Sequence, residues 1–230
     1  MDRYGEFIVS DTKNTLIEKI NQISDSAWEL RNNDVKQART LFKQALQLST
    51  TGEFRIQPYH EGQIRSLAGL GYISRISGDL NTAMKYLIEA KGLSDATEIL
   101  QALVYVNLGS LYNLLGDNLQ SLQAYEYGLE MARLHSDIRY EGEALMGIAN
   151  IYAQRTEYSE SIKYVKQSLD LNIETQQLSG QLRAANNLAA IYCHAGDYQN
   201  AQSVVDEFLP LMDKEAFTFE SIYLLATDGE

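Results

Sequence analysis

The residue types best placed to do chemistry in this chain are amides and arginines. Asn107, Asn113, Asn150, Asn187 and Gln154 recur along 230 residues whose formal net charge is -12. An amide carries two donors and an acceptor, so it can pair with the main chain of a bound polypeptide whatever its side chains. Arg65, Arg75 and Arg183 add planar forks that fit a carboxylate bidentately. Tyr72 and His194 complete the set, and all ten lie off the apolar stripe when read on helical spacing. Catalytic chemistry finds no comparable set. His60, His135 and His194 stand far apart, with no paired spacing for a metal. Cys193 and His194 are adjacent, so on a helix they point about 100° apart and do not share a site. There is no glycine-rich phosphate loop and no nucleophile elbow. Carboxylates such as Glu157, Glu160 and Asp170 fall where a solvated helix face is the ordinary outcome. The residues therefore predict a binding protein, not an enzyme, with no cofactor and no metal.

Composition narrows the partners. The acidic balance, 31 Asp and Glu against 19 Lys and Arg, repels phosphate backbones and anionic lipid, so neither nucleic acid nor membrane is expected. Cys193 is the single cysteine; no intrachain disulfide can form, which fits a reducing, cytoplasmic setting. Charged residues interrupt the first 20 positions, leaving no signal-peptide core. No run reaches the roughly 18 apolar residues of a membrane span.

The elements that would position the amides and arginines repeat. Gly78-Asp79, Gly116-Asp117, Thr156-Glu157 and Gly196-Asp197 are turn signals at near-equal spacing, preceded by a weaker Asn33-Asp34. Glycine just past a helix can turn left-handed without a Cβ penalty, and the following Asp can cap the next helix. Thr156 breaks this pattern, predicting a turn that is strained or differently shaped. Before each turn stands a large-small pair: Leu70-Gly71, Leu108-Gly109, Ile148-Ala149, Leu188-Ala189. After each comes one more small residue, Ala83, Ser121, Ser161 or Ala201, so paired helices can approach closely. Tyr112, Tyr152 and Tyr192 precede three of the turns. The pattern predicts five helical hairpins, over 14–49, 59–93, 96–134, 138–174 and 177–212, in a single domain spanning 1–230. Longer joints are expected between hairpins, with 49–60 (STTGEFRIQPYH) as a flexible point. Residues 214–227 read as one more helix, with Phe217, Phe219, Ile222 and Leu225 apolar. It is either the cap of the array or the opening helix of a sixth hairpin in a longer protein.

The strings SLAGLGYISRISGDLNTAMKYLIEA, YVNLGSLYNLLGDNLQSLQAYEYGL, LMGIANIYAQRTEYSESIKYVKQSL and AANNLAAIYCHAGDYQNAQSVVDEF closely resemble the tetratricopeptide repeat family. The early tryptophan of that family is replaced here by Leu67, Tyr105, Leu145 and Ala185. The spacing of about 40 exceeds the family's 34, which predicts longer helices. The resemblance implies an all-α fold: a right-handed superhelical α-solenoid of antiparallel helix pairs.

The resemblance also implies that the first helices of successive hairpins line a concave groove holding a protein or peptide. On helical spacing the groove would take Arg65, Tyr72 and Arg75 from the second hairpin, and Asn107, Ser110 and Asn113 from the third. The fourth would give Glu143, Asn150 and Gln154; the fifth, Arg183, Asn186, Asn187 and His194. Asn107 and Asn187 hold equivalent places, both expected exposed, where family members often set asparagine on peptide backbone. Longer-period arrays of this kind also resemble the N-terminal sensory regions of bacterial signalling proteins. The expected function is a non-catalytic regulatory or scaffolding module. A homodimerising structural module and a receptor for a short signalling peptide are the alternatives.

Overall fold

The computed structural model describes residues 3–212; the expected helix over 214–227 lies outside them. Ten α-helices follow one another, with no strand among the described residues: α1 (Arg3–Leu30), α2 (Val35–Leu48), α3 (His60–Ile76), α4 (Leu80–Thr97), α5 (Gln101–Leu114), α6 (Asn118–Leu134), α7 (Ile138–Gln154), α8 (Tyr158–Glu174), α9 (Leu178–His194) and α10 (Tyr198–Met212). Contacts divide the chain into two compact units, Met1–Leu115 and Gly116–Glu230. In the N-terminal unit each helix packs on the next, and α3 also packs on α1 and α5. In the C-terminal unit α6 to α10 pack in sequence, and α7 also meets α9. Neighbour-on-neighbour packing with every second helix touching is what stacked hairpins produce.

One turn design connects these helices. Asp34, Asp79, Asp117 and Asp197 each accept from the backbone N–H three residues on, at 2.9, 3.1, 3.0 and 3.2 Å. The residue before each later cap, Gly78, Gly116 or Gly196, has φ of 80°, 78° or 76°. The longer joints expected between hairpins are absent from the C-terminal unit. Ser136 (φ 54°) and Gln176 (φ 55°) make the same left-handed turn, and Asp137 caps α7 through the Tyr140 N–H at 3.2 Å. Left-handed residues thus fall at 116, 136, 156, 176 and 196, and α6 to α9 are each 17 residues long. The 40-residue spacing is two such helices with two such turns.

Thr156 settles the alternatives for the fourth turn. Its shape is the ordinary one: Thr156 N–H donates to Ala153 O and Glu157 N–H to Tyr152 O, both at 2.9 Å, as at Gly78 and Gly196. The strain remains, because a β-branched residue sits at φ 61°. Segment 49–60 is also not a free hinge. Phe54, on a single 3-10 turn (Gly52–Phe54), is buried with Ile20 and Ala45. Tyr59 N–H donates to Ser49 O at 3.0 Å, and its hydroxyl donates to Asn21 Oδ1 at 3.0 Å. The joint between α4 and α5 stores strain instead. Glu98 and Leu100 are both left-handed (φ 55° and 54°). Ser94 Oγ holds the Ile99 carbonyl at 2.6 Å, and the Tyr105 hydroxyl ties α5 to Asp95 of α4 at 3.0 Å.

The core confirms the large-small pairing. Leu70, Leu108, Ile148 and Leu188 are buried, as are Ala83, Ser121, Ser161 and Ala201. Ser161 Oγ crosses from α8 to the Ala149 carbonyl of α7 at 2.8 Å. Two contacts are closer still. A Cβ on Gly147 would lie 2.3 Å from the Tyr125 ring of α6, and one on Gly69 would lie 2.3 Å from the Phe42 ring of α2.

Two substitutions test this account. Thr156→Gly relieves a left-handed penalty of roughly 1–2 kcal/mol, partly offset by glycine's chain entropy, and should stabilise the protein by about 1 kcal/mol in denaturant unfolding. Gly147→Ala improves intrinsic helix propensity, yet it should destabilise by about 1–3 kcal/mol because the added methyl meets the Tyr125 ring.

Candidate protein-binding surface

The first helices of the hairpins are α1, α3, α5, α7 and α9, and the candidate residues lie on the last four. On α3, Arg65 is half-buried and engaged within the protein, its guanidinium 3.3 Å from both Asp25 and Glu61. Tyr72 is half-buried, with its hydroxyl donating to Asn32 Oδ1 at 2.7 Å. The Arg75 guanidinium stacks on the Tyr72 ring, 5.0 Å from its centroid. Arg75 is half-buried, and its Nε is buried without a partner. On α5, Asn113 is half-buried and its Oδ1 likewise lacks one.

Asn107 corrects the sequence reading. It is not exposed: its relative exposure is 5%, and its Nδ2 donates to the Leu103 carbonyl one helical turn back at 2.8 Å. An amide spent on its own helix inside the packing does not offer a free donor and acceptor to a ligand. Asn187, at the equivalent place on α9, is half-buried, so the two positions do not share one environment.

In the C-terminal unit the surface is more open. Asn150 and Gln154 on α7, and Arg183 and His194 on α9, are exposed. Glu143 accepts from Arg139 Nε at 3.3 Å on its own helix. Asn186 is half-buried with an unpartnered Oδ1. Cys193 beside His194 is half-buried, and no group of three His, Cys, Asp or Glu side chains that could hold a metal occurs among the described residues. No helix among them is long and apolar enough to cross a membrane.

Of the sequence candidates, the structure joins Tyr72 and Arg75 directly and adds three residues that the sequence reading left out. Trp28, at the end of α1, lies 5.8 Å from the Tyr72 ring. Arg31 sits over both rings at 5.8 Å, and Asn32 fixes the Tyr72 hydroxyl. The available signal was position: Arg31 and Asn32 come just before the Asn33-Asp34 turn, as Arg75 comes just before Gly78-Asp79.

No family model matches the chain. Photosystem I assembly protein Ycf3 of Cyanophora paradoxa is 30% identical over 107 residues, which cover 46% of this chain and 58% of that protein. The match therefore spans little more than half of the relative's length. Among solved structures, BtubC (BKLC) from P. vanneervenii is 16% identical with a TM-score of 0.69, covering 93% of this chain and 92% of that one. A Signal Transduction ATPase with Numerous Domains protein with a tetratricopeptide repeat sensor, from Pyrococcus horikoshii, is 17% identical with a TM-score of 0.66. That likeness covers 98% of this chain and 35% of the other.

Replacing Asn107 by Ala should cost about 1 kcal/mol of stability through its lost hydrogen bond. Asn187→Ala should stay within about 0.5 kcal/mol, as surface changes do; paired thermal melts distinguish the two sites. Repeat spelling and architecture agree: the chain has the all-α helical-repeat fold of these solved structures.

Proposed function

We propose that this chain is a non-catalytic protein-binding module, whose first helices hold a segment of a partner polypeptide and so scaffold or regulate it. The observation that carries this reading is the contrast along those helices. Leu145, Ile148, Leu188 and Ile191 are buried, while Asn150, Gln154, Arg183 and His194 on the same helices are exposed. Amide and guanidinium groups held on rigid helices lose little entropy when they engage a main chain or a carboxylate. The polar set contains no paired acid and base and no nucleophile beside a base, the arrangements catalysis needs.

A regulatory role in signalling fits the Pyrococcus protein, whose tetratricopeptide region is described as a sensor. A scaffolding role fits the assembly protein of Cyanophora. Both roles rest on the same physical act, a rigid helical surface that holds another chain.

The test is affinity capture from the source cells, using the intact chain beside a variant carrying Asn150→Ala, Gln154→Ala, Arg183→Ala and Asn187→Ala. These positions are exposed or half-buried, so melting should stay within about 1 kcal/mol of the parent. The expected result is a set of proteins retained by the intact chain and lost by the variant. Equal retention by both would place binding elsewhere and overturn the reading.

A further inference from the structure

The N-terminal unit holds two guanidinium groups against one tyrosine ring. Arg75 lies 5.0 Å and Arg31 5.8 Å from the Tyr72 centroid. The platform is rigid. Tyr72 is fixed through its hydroxyl to Asn32 at 2.7 Å and rests on Trp28 at 5.8 Å. Trp28 meets Phe42 edge-on at 5.3 Å and 77°, and Phe42 is completely buried. Arg31 Nη1 also donates to the Trp28 carbonyl. Both cations are therefore held against the same ring.

Elsewhere in this acidic chain Arg65, Arg133 and Arg139 each take a carboxylate of the protein itself. Neither Arg31 nor Arg75 is in an ion pair among the described residues. Arg75 further keeps its Nε buried without an acceptor, a demand that an unmade hydrogen bond leaves standing. Asn113, at the equivalent place on the next first helix, three residues before its turn glycine, keeps a buried Oδ1 without a donor. One orphan donor and one orphan acceptor thus close neighbouring first helices.

We infer that Arg31 and Arg75 form a carboxylate-binding site on the Trp28–Tyr72 platform, which takes an aspartate or glutamate side chain of the bound polypeptide. This rests on the protein-binding reading above. A carboxylate spanning Nε and one Nη of Arg75 as the guanidinium turns on its ring satisfies the orphan donor, and Arg31 on the same ring adds a second positive charge. Asn113 Oδ1 then accepts a main-chain N–H of the same segment.

Trp28 is the only tryptophan in the sequence, so its fluorescence reports on this site directly. The full chain is titrated with a blocked peptide of alternating glutamate and serine, with its glutamine counterpart, and with one in which phosphoserine replaces each glutamate. The expected result is a saturable change in Trp28 emission with the glutamate peptide alone, weakening as salt is raised. Arg31→Gln or Arg75→Gln should raise its dissociation constant by about tenfold, the effect of losing one charge-assisted hydrogen-bonded pair. Arg75→Lys, which keeps the charge but not the fork, should fall between parent and Gln variant. Equal response to the glutamine peptide, response only to phosphoserine, or unchanged affinity in the Gln variants would each overturn the site. Captured partners that persist in the Arg31→Gln, Arg75→Gln double variant would do so too, while leaving the protein-binding reading intact.

Discussion

The turn that places one residue at positive φ between two helices is the constraint on which this structure depends. It reverses the chain in three residues, offers its carbonyls and amides to the flanking helix ends, and recurs at 116, 136, 156, 176 and 196. Helix length follows from it. With a break every 20 residues and a short connection, each helix from α6 to α9 runs 17 residues and no further. Within each unit the side chains of successive first helices are thereby brought to equivalent places.

Packing closes what the turns begin. Where helices cross, one side contributes a glycine and the other a large side chain, within a hairpin at Gly71 under Leu87 and between hairpins at Gly147 under Tyr125. These pairs fix the approach of the helices more firmly than apolar content alone would, since leucine against leucine tolerates sliding. The C-terminal unit is the more regular of the two. The N-terminal unit departs from the 20-residue rhythm at Glu98-Ile99-Leu100 and at segment 49–60. Side-chain bonds, not a standard turn, hold the chain in both places, and at segment 49–60 the buried Phe54 ring adds to them.

Much of this was legible in the sequence because glycine followed by aspartate has few structural meanings. Gly78-Asp79, Gly116-Asp117 and Gly196-Asp197 announce both the left-handed residue and the cap. Asp137 supplies a cap after Ser136, but neither Ser136 nor Gln176 carries glycine's freedom, so the turns between hairpins read as longer joints. The surface was harder. Helical spacing places Asn107 off the apolar stripe, but burial depends on what neighbouring helices cover, and its amide turned back onto Leu103. Spacing named Tyr72 and Arg75, whose side chains stack on one another. It did not name Arg31 and Trp28, because the first hairpin matches the repeat weakly and their contact with Tyr72 appears only when α1 lies beside α3.

The polar residues of α3, α7 and α9 and the aromatic platform at the end of α1 share a dependence on rigid support. Each side chain projects from a helix whose other faces are buried, so little reorganisation is needed on binding. Hydroxyl-radical footprinting of the chain, free and with its captured partner, tests this account most directly. Binding along the first helices should lower labelling at Tyr72 and His194 and leave Tyr127 and Tyr198, on α6 and α10, as they were. Protection confined to Tyr127 and Tyr198 would contradict it.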